Sequence, residues 1–226
     1  MPPIIVPEAI DDKSLINFFQ GWYWISDPKP PVIIDFMGCD FIAPYGATLF
    51  AAYILWLKET KRRKVMVQST KRSVAGNFLL QCGFFELIGE DGATPTEPRE
   101  DRTVKLTRIS SSSDIPAFAN MVMNILQIED EELAGAVKYS LVELLRNVVQ
   151  HSGSLNGGVA MAQYYPKTGL VEICVADTGV GIKSTINRAY PEIDSNLKAL
   201  KFATLPHVSG TFGPSIYGSM GGQVLV

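Results

Sequence analysis

Two stretches constrain this chain more than any others: Glu143-Leu-Leu-Arg-Asn147-Val-Val-Gln-His151, and, further on, Val171-Glu-Ile-Cys-Val-Ala-Asp177-Thr-Gly179-Val-Gly181. In the first, positions i, i+4 and i+8 share a helix face, each step rising ~6 Å. Glu143, Asn147 and His151 then line up as a carboxylate, a carboxamide and an imidazole, offset from a Leu144–Val148 row expected to face the core. Asparagine is a poor residue for a helix interior. Asn147 among apolar neighbours therefore calls for a role, and an oxygen ligand for a hard divalent cation is one. The second stretch is a mostly apolar run that ends in an acid and two glycines, as a buried strand does where it turns. The acid either closes an Asx turn or aims an acceptor into a pocket. Gly179 and Gly181 permit positive φ and close approach of a ligand to the backbone. Taken singly, Glu143 is also an ordinary solvated acid and Asp-x-Gly-x-Gly an ordinary turn. The ordered pair carries the information.

The rest of the chain reads as alternating helices and strands of an α/β protein. Its 226 residues are enough for one large or two small domains. A composition break at Gly89–Arg102, with Gly92, Pro95 and Pro98, divides it into a first domain of residues 1–95 and a second of residues 101–226. In the first, helical spacing predicts helices over 14–24, 47–61 and 74–81, the last ended by Gly83. Short β-branched runs predict strands over 32–36 and 65–67. Phe18, Phe19, Trp22, Tyr23 and Trp24 form an aromatic cluster, read as core packing with a dimer or partner surface as the alternative. In the second, strands are expected over 103–109, 157–165 and 170–176. The serine run before Asp114 reads as a turn, with Ser113 or Asp114 capping a helix to about Leu126. A longer helix over 129–151 has apolar positions at Leu133, Val137, Leu141, Leu144, Leu145 and Val148.

Composition excludes several classes. A net charge of −3 argues against bulk attraction to nucleic acid or an anionic membrane. The apolar stretch from Ala43 to Leu57 is interrupted by Pro44 and Gly46 and is too short to span a bilayer. Met1-Pro-Pro-Ile-Ile-Val lacks a basic start and a long apolar run, so no secretory signal is visible. Cys39, Cys82 and Cys174 lie far apart with no C-x-x-C, the pattern of free, buried thiols in a reducing compartment. The expectation is a cytoplasmic protein with no membrane and no nucleic-acid partner.

The ordered pair resembles two motifs of the GHKL ATPases (gyrase, the heat-shock chaperone ATPase, histidine kinases, MutL). Glu143 to Gly153 matches that family's asparagine box, and Asp177-Thr-Gly179-Val-Gly181-Ile its first glycine box. The resemblance covers roughly residues 101–210. It implies a two-layer α/β sandwich with helices on one face of a mixed sheet, and ATP with Mg²⁺ as cofactors. It implies that Asn147 binds Mg²⁺, that Asp177 accepts from the adenine amino group, and that Gly179 and Gly181 shape the pocket and the hinge of a lid. In hydrolysing members the acid at the Glu143 position polarises the attacking water. The His151 position is one from which a polar or basic residue approaches the phosphates. A carboxylate can act as a general base and an imidazole can donate to phosphate.

A second resemblance covers roughly residues 30–90. Val32-Ile-Ile-Asp35-Phe, Phe41-Ile-Ala-Pro-Tyr-Gly46 and Gln81-Cys-Gly83-Phe-Phe are similar to the STAS fold of anti-sigma-factor antagonists. That family carries a phosphorylatable serine just before the glycine of this turn. Ala43, Pro44 and Tyr45 stand there instead, so phosphorylation at this turn is not expected, and the region is expected to dock a protein partner or form a homodimer. The chain also departs from the GHKL pattern. Lys183 to Ser209 is long enough for a lid. The following Thr211–Val226 has glycines but no Gly-x-Gly-Leu before a helix, and the family's closing helix and strands do not follow. Either this is a shortened form of a longer ATPase, or the tail adds a strand to a degenerate nucleotide fold. Loss of backbone donors to the outer phosphates implies adenine-dominated binding and little hydrolysis. Two functions compete. One is an ATP-binding serine-kinase-like protein or slow ATPase; the other is a non-enzymatic interaction module. Of only two histidines, His151 belongs to the pocket and His207 lies in the expected lid rather than on a long dimerisation helix, so histidine kinase activity is not expected.

Overall fold

The computed structural model describes residues 3–20, 31–69, 73–90 and 101–205. The fold is a mixed α/β arrangement. In the N-terminal half, β3 (Val32–Asp35) lies between β1 (Ile4–Ile5) and β5 (Val65–Gln68) in a parallel sheet. A separate parallel pair joins β2 (Ala9–Ile10) to β4 (Phe41–Ile42). Around them run α1 (Leu15–Gln20), α2 (Pro44–Leu55), α3 (Val74–Gln81) and α4 (Phe84–Leu87). Helix α2 starts earlier than its apolar spacing predicts, because Pro44 suits a first turn whose N–H groups have no intrahelical partner. It is apolar on most sides, the pattern of a buried helix. Phe50 is its centre, with ring centroids 4.8 Å from Phe36, 5.7 Å from Phe18 and 5.2 Å from Phe19. Phe18 and Phe19 thus pack into the core, as read; Trp22, Tyr23 and Trp24 lie outside the described residues.

In the C-terminal half, β6 (Thr103–Ile109), β7 (Gly158–Tyr165) and β8 (Leu170–Asp177) form an antiparallel sheet in that order. Strand alternation gives it two apolar faces. One packs against α5 (Asp114–Leu126) and α6 (Glu131–Arg146), joining Val104, Ile109, Ala160 and Ala162 to Phe118, Val122, Leu141 and Leu145. The other face presents Leu106, Val159, Met161, Cys174 and Ala176, which belong to the same hydrophobic core as α2 and its neighbours. The core of the N-terminal half therefore runs onto the sheet of the C-terminal half. Of the composition break at Gly89–Arg102, residues 91–100 lie outside the described residues. The helices-on-one-face, mixed-sheet expectation is not what the described residues form: they make an antiparallel sheet covered on both faces.

Two local readings need correction. On α6 the core stripe is Leu141, Leu145 and Val148, spaced i, i+4, i+7. Leu144, expected inside, is 53% exposed because it stands one residue, a 100° rotation, from Leu145, and Leu133, 54% exposed, lies in the first turn of α6, before the buried part of the helix begins. Neither candidate caps α5 through its side chain: Asp114 is the first helical residue and turns back onto the serine run before it. Its Oδ2 accepts from the Ser110 and Ser111 N–H groups at 2.9 and 2.8 Å, which holds its carboxyl below the usual range, whereas Ser113 makes no side-chain cap bond. Beyond β8, α7 (Gly181–Ala189) and α8 (Asn196–Ala203) pack on each other. No helix among the described residues is long and apolar enough to cross a membrane.

Candidate functional site

Helix α6 opens with Asp130 accepting from the Leu133 N–H and keeps α-helical hydrogen bonding to Arg146. It then widens into one π turn over Asn147–His151, in which the Ser152 N–H donates to the Asn147 carbonyl at 3.0 Å. Glu143 and Asn147 keep the i, i+4 relation. His151 follows the wide turn, so it departs from the straight α-helical row expected for the three. Such single π turns occur often at functional positions. Asn147 and His151 are exposed, and Glu143 is half-buried and paired with Arg146.

The residue that anchors this helix end is Ser152, which is 7% exposed. Its hydroxyl donates back to the Val148 carbonyl at 2.6 Å and accepts from the Ser154 N–H at 3.0 Å. Its carbonyl accepts from the Val180 N–H at 2.7 Å. That last bond ties the end of α6 to the turn after β8. The Asp177 Oδ1 accepts from the Gly179 N–H at 2.8 Å, closing an Asx turn. A Cβ on Gly179 would fall 2.0 Å from the Ser152 carbonyl oxygen, so only glycine lets the two segments meet. Gly181 has φ +77°, the left-handed region, and opens α7.

The two sequence motifs are therefore neighbours: Asn147 and His151 stand on one segment, Asp177, Gly179 and Gly181 on the other, with Ser152 between. The Thr185 hydroxyl lies 3.5 Å from the His151 carbonyl and adds a weak second tie. Sequence reasoning missed Ser152. The only signal for it was a small polar residue wedged between His151 and a glycine. Helices α7 and α8 occupy the described part of the expected lid. His207, Ser209, Gly210 and the tail Thr211–Val226 lie outside the described residues.

Two cavities lie away from this junction. One, of about 740 Å³, runs between α4, β6 and α5 and is lined by Glu86, Lys105, Met121 and Asn124. The other, of about 480 Å³, lies between the start of α2 and β8, beside Tyr45, Thr48 and Glu172. Thr48 is buried, and its hydroxyl donates to the Pro44 carbonyl at 2.8 Å. The start of α2 thus packs against β8. Cys39, Cys82 and Cys174 are free and buried, and burial pushes their thiols up to about 11, 12 and 12, so they serve as packing, as read. Among the described residues no group of three or more His, Cys, Asp or Glu is placed to hold a metal. No protein-family model, no curated protein and no solved structure matches the chain.

Proposed function

We propose that this chain binds an adenine nucleotide in the manner of the GHKL ATPases and that its STAS-like N-terminal half serves protein signalling. One observation carries the reading: the bond from Val180 to Ser152, which sets the Asp177–Gly181 turn against the Asn147–His151 turn. A polar helix end beside a glycine turn offers what an adenine nucleotide needs. Asp177 engages Gly179 through Oδ1, which leaves Oδ2 to accept from an exocyclic amine. Asn147 supplies an exposed oxygen to Mg²⁺. That ion takes most of its octahedral shell from phosphates and water, so one protein oxygen fits it and no cluster of acids is required. Bound, Mg²⁺ neutralises phosphate charge. The chain's own groups position the base and the helix end around it.

The second reading, a non-enzymatic module with a degenerate pocket, is favoured by Glu143. Its carboxylate is paired with Arg146 three residues on, an arrangement that competes with activating a water. The two readings separate in one experiment. The protein is incubated with γ-labelled ATP and a purified STAS-domain protein, and wild type is compared with Asn147→Ala. Label transfer that the substitution abolishes supports a kinase. No transfer, with partner binding unchanged, supports the module.

A further inference from the structure

The loop after α6 is tied to the N-terminal half by a continuous set of polar contacts. Helix α2 also ends in a π turn, Trp56–Thr60, in which the Lys61 N–H donates to the Trp56 carbonyl at 3.0 Å. The Asn156 Nδ2 donates to Thr60 Oγ1 at 3.0 Å and reaches the Leu55 carbonyl at 3.4 Å. Arg108 forks onto both carboxylate oxygens of Glu59, and its Nε donates to the Asn156 carbonyl at 3.1 Å. From Asn156 the path continues inward. Its N–H donates weakly to Ser154 Oγ at 3.4 Å, the Ser154 N–H donates to Ser152 Oγ, and the Ser152 carbonyl holds Val180.

Both widened helix ends thus converge on one loop, residues 152–157. One carries the candidate nucleotide residues and the other belongs to the N-terminal half. Asn156 is the residue that touches both sides, since its side chain bonds α2 and its backbone bonds β6 and the loop. We propose that Asn156, held by Thr60 and by the Glu59–Arg108 pair, is a positioning residue through which the end of α2 fixes the Asp177–Gly181 turn. The consequence is reciprocal: whatever displaces the end of α2 loosens the turn, and a nucleotide on the turn tightens the end of α2. The nucleotide part rests on the function proposed above; the mechanical part does not.

The test uses the full chain and reads the Val180 amide by hydrogen exchange with NMR detection, together with the dissociation constant for Mg²⁺-ATP. Asn156→Ala removes two donor contacts. It is expected to speed Val180 exchange by roughly fivefold to tenfold, the scale of one net hydrogen bond. The Phe118 amide in α5 should be unmoved, which reports that the fold is intact. Thr60→Val, remote from the turn, is expected to act in the same direction, and Thr60→Ser, which keeps the hydroxyl, to restore the wild-type rate. Glu59→Ala gives a smaller acceleration on an exposed pair that tolerates substitution. Mg²⁺-ATP affinity should fall by a similar factor in Asn156→Ala and Thr60→Val. Unchanged Val180 exchange in both variants overturns the proposal; faster exchange with ATP affinity unchanged supports the positioning role and overturns its coupling to the nucleotide. Faster exchange in a protein whose wild type binds no ATP supports the positioning role and overturns the nucleotide reading instead.

Discussion

The two faces of the β6–β8 sheet differ in where their cover comes from. One face is covered by α5 and α6, its neighbours in sequence, through Phe118, Leu141 and Leu145. The other is covered by α2, from the far side of a composition break, through a core centred on Phe50. A sheet with two apolar faces has to bury both, and here the second is buried by what the sequence presents as a separate domain. The difference teaches that the candidate site is held from both halves: Asn147 rides on the local cover, while the loop that orients Gly179 is bonded to the distant one.

Removing the centre of each cover tests that comparison with the largest effect. Phe50→Ala and Phe118→Ala each delete a fully buried ring and should each cost about 3–5 kcal/mol. Because both cores are built on the one β6–β8 sheet, each variant should lower the denaturant midpoint seen by a probe in either half. Two separate transitions, each moved by only one variant, would break the comparison. Next comes the junction itself. Gly179→Ala forces a Cβ into the Ser152 carbonyl and should destabilise by about 1–3 kcal/mol while loosening the Val180 amide. A neutral Gly179→Ala by thermal melting and amide exchange would show that the two segments do not meet as described. The smallest effect sharpens the local cover alone. Asp114→Ala removes the carboxylate that accepts from the turn before α5 and should cost about 1 kcal/mol. The carboxyl of Asp114 is held below its ordinary value by backbone N–H groups, so its contribution is present above about pH 4 and is lost as pH falls through the lowered folded value. Wild type and Asp114→Ala should therefore differ in urea midpoint at pH 7 and converge in acid.

What could be read in the sequence was mostly local. The strand over 103–109, the hairpin of β7 and β8 and the helix over 74–81 follow from period and turn residues, and the structure places them there. The adjacency of the two site motifs follows from their order, because a helix and the hairpin strands after it return to the same end of a sheet. What was not legible depends on contacts distant in sequence. Leu144 has the chemistry of a core residue, but its rotation about α6 is set by which face meets the sheet. The π turn at Asn147–His151 leaves no mark in residue type, and the bonds that Ser152 makes in several directions depend on segments brought together by the fold. The contact of α2 with β7 and β8 was hidden because a run of Gly and Pro reads as a boundary whether or not the flanking segments pack together.

Calorimetric titration of the whole chain with Mg²⁺-ATP, Mg²⁺-ADP and Mg²⁺-GTP, repeated with Asp177→Ala, tests the central claim most directly. The account predicts that ATP and ADP bind with similar affinity, that GTP binds at least tenfold more weakly, and that Asp177→Ala removes the preference for adenine. Equal binding of GTP, or wild-type binding retained by Asp177→Ala, would contradict it, and so would the absence of any adenine nucleotide binding.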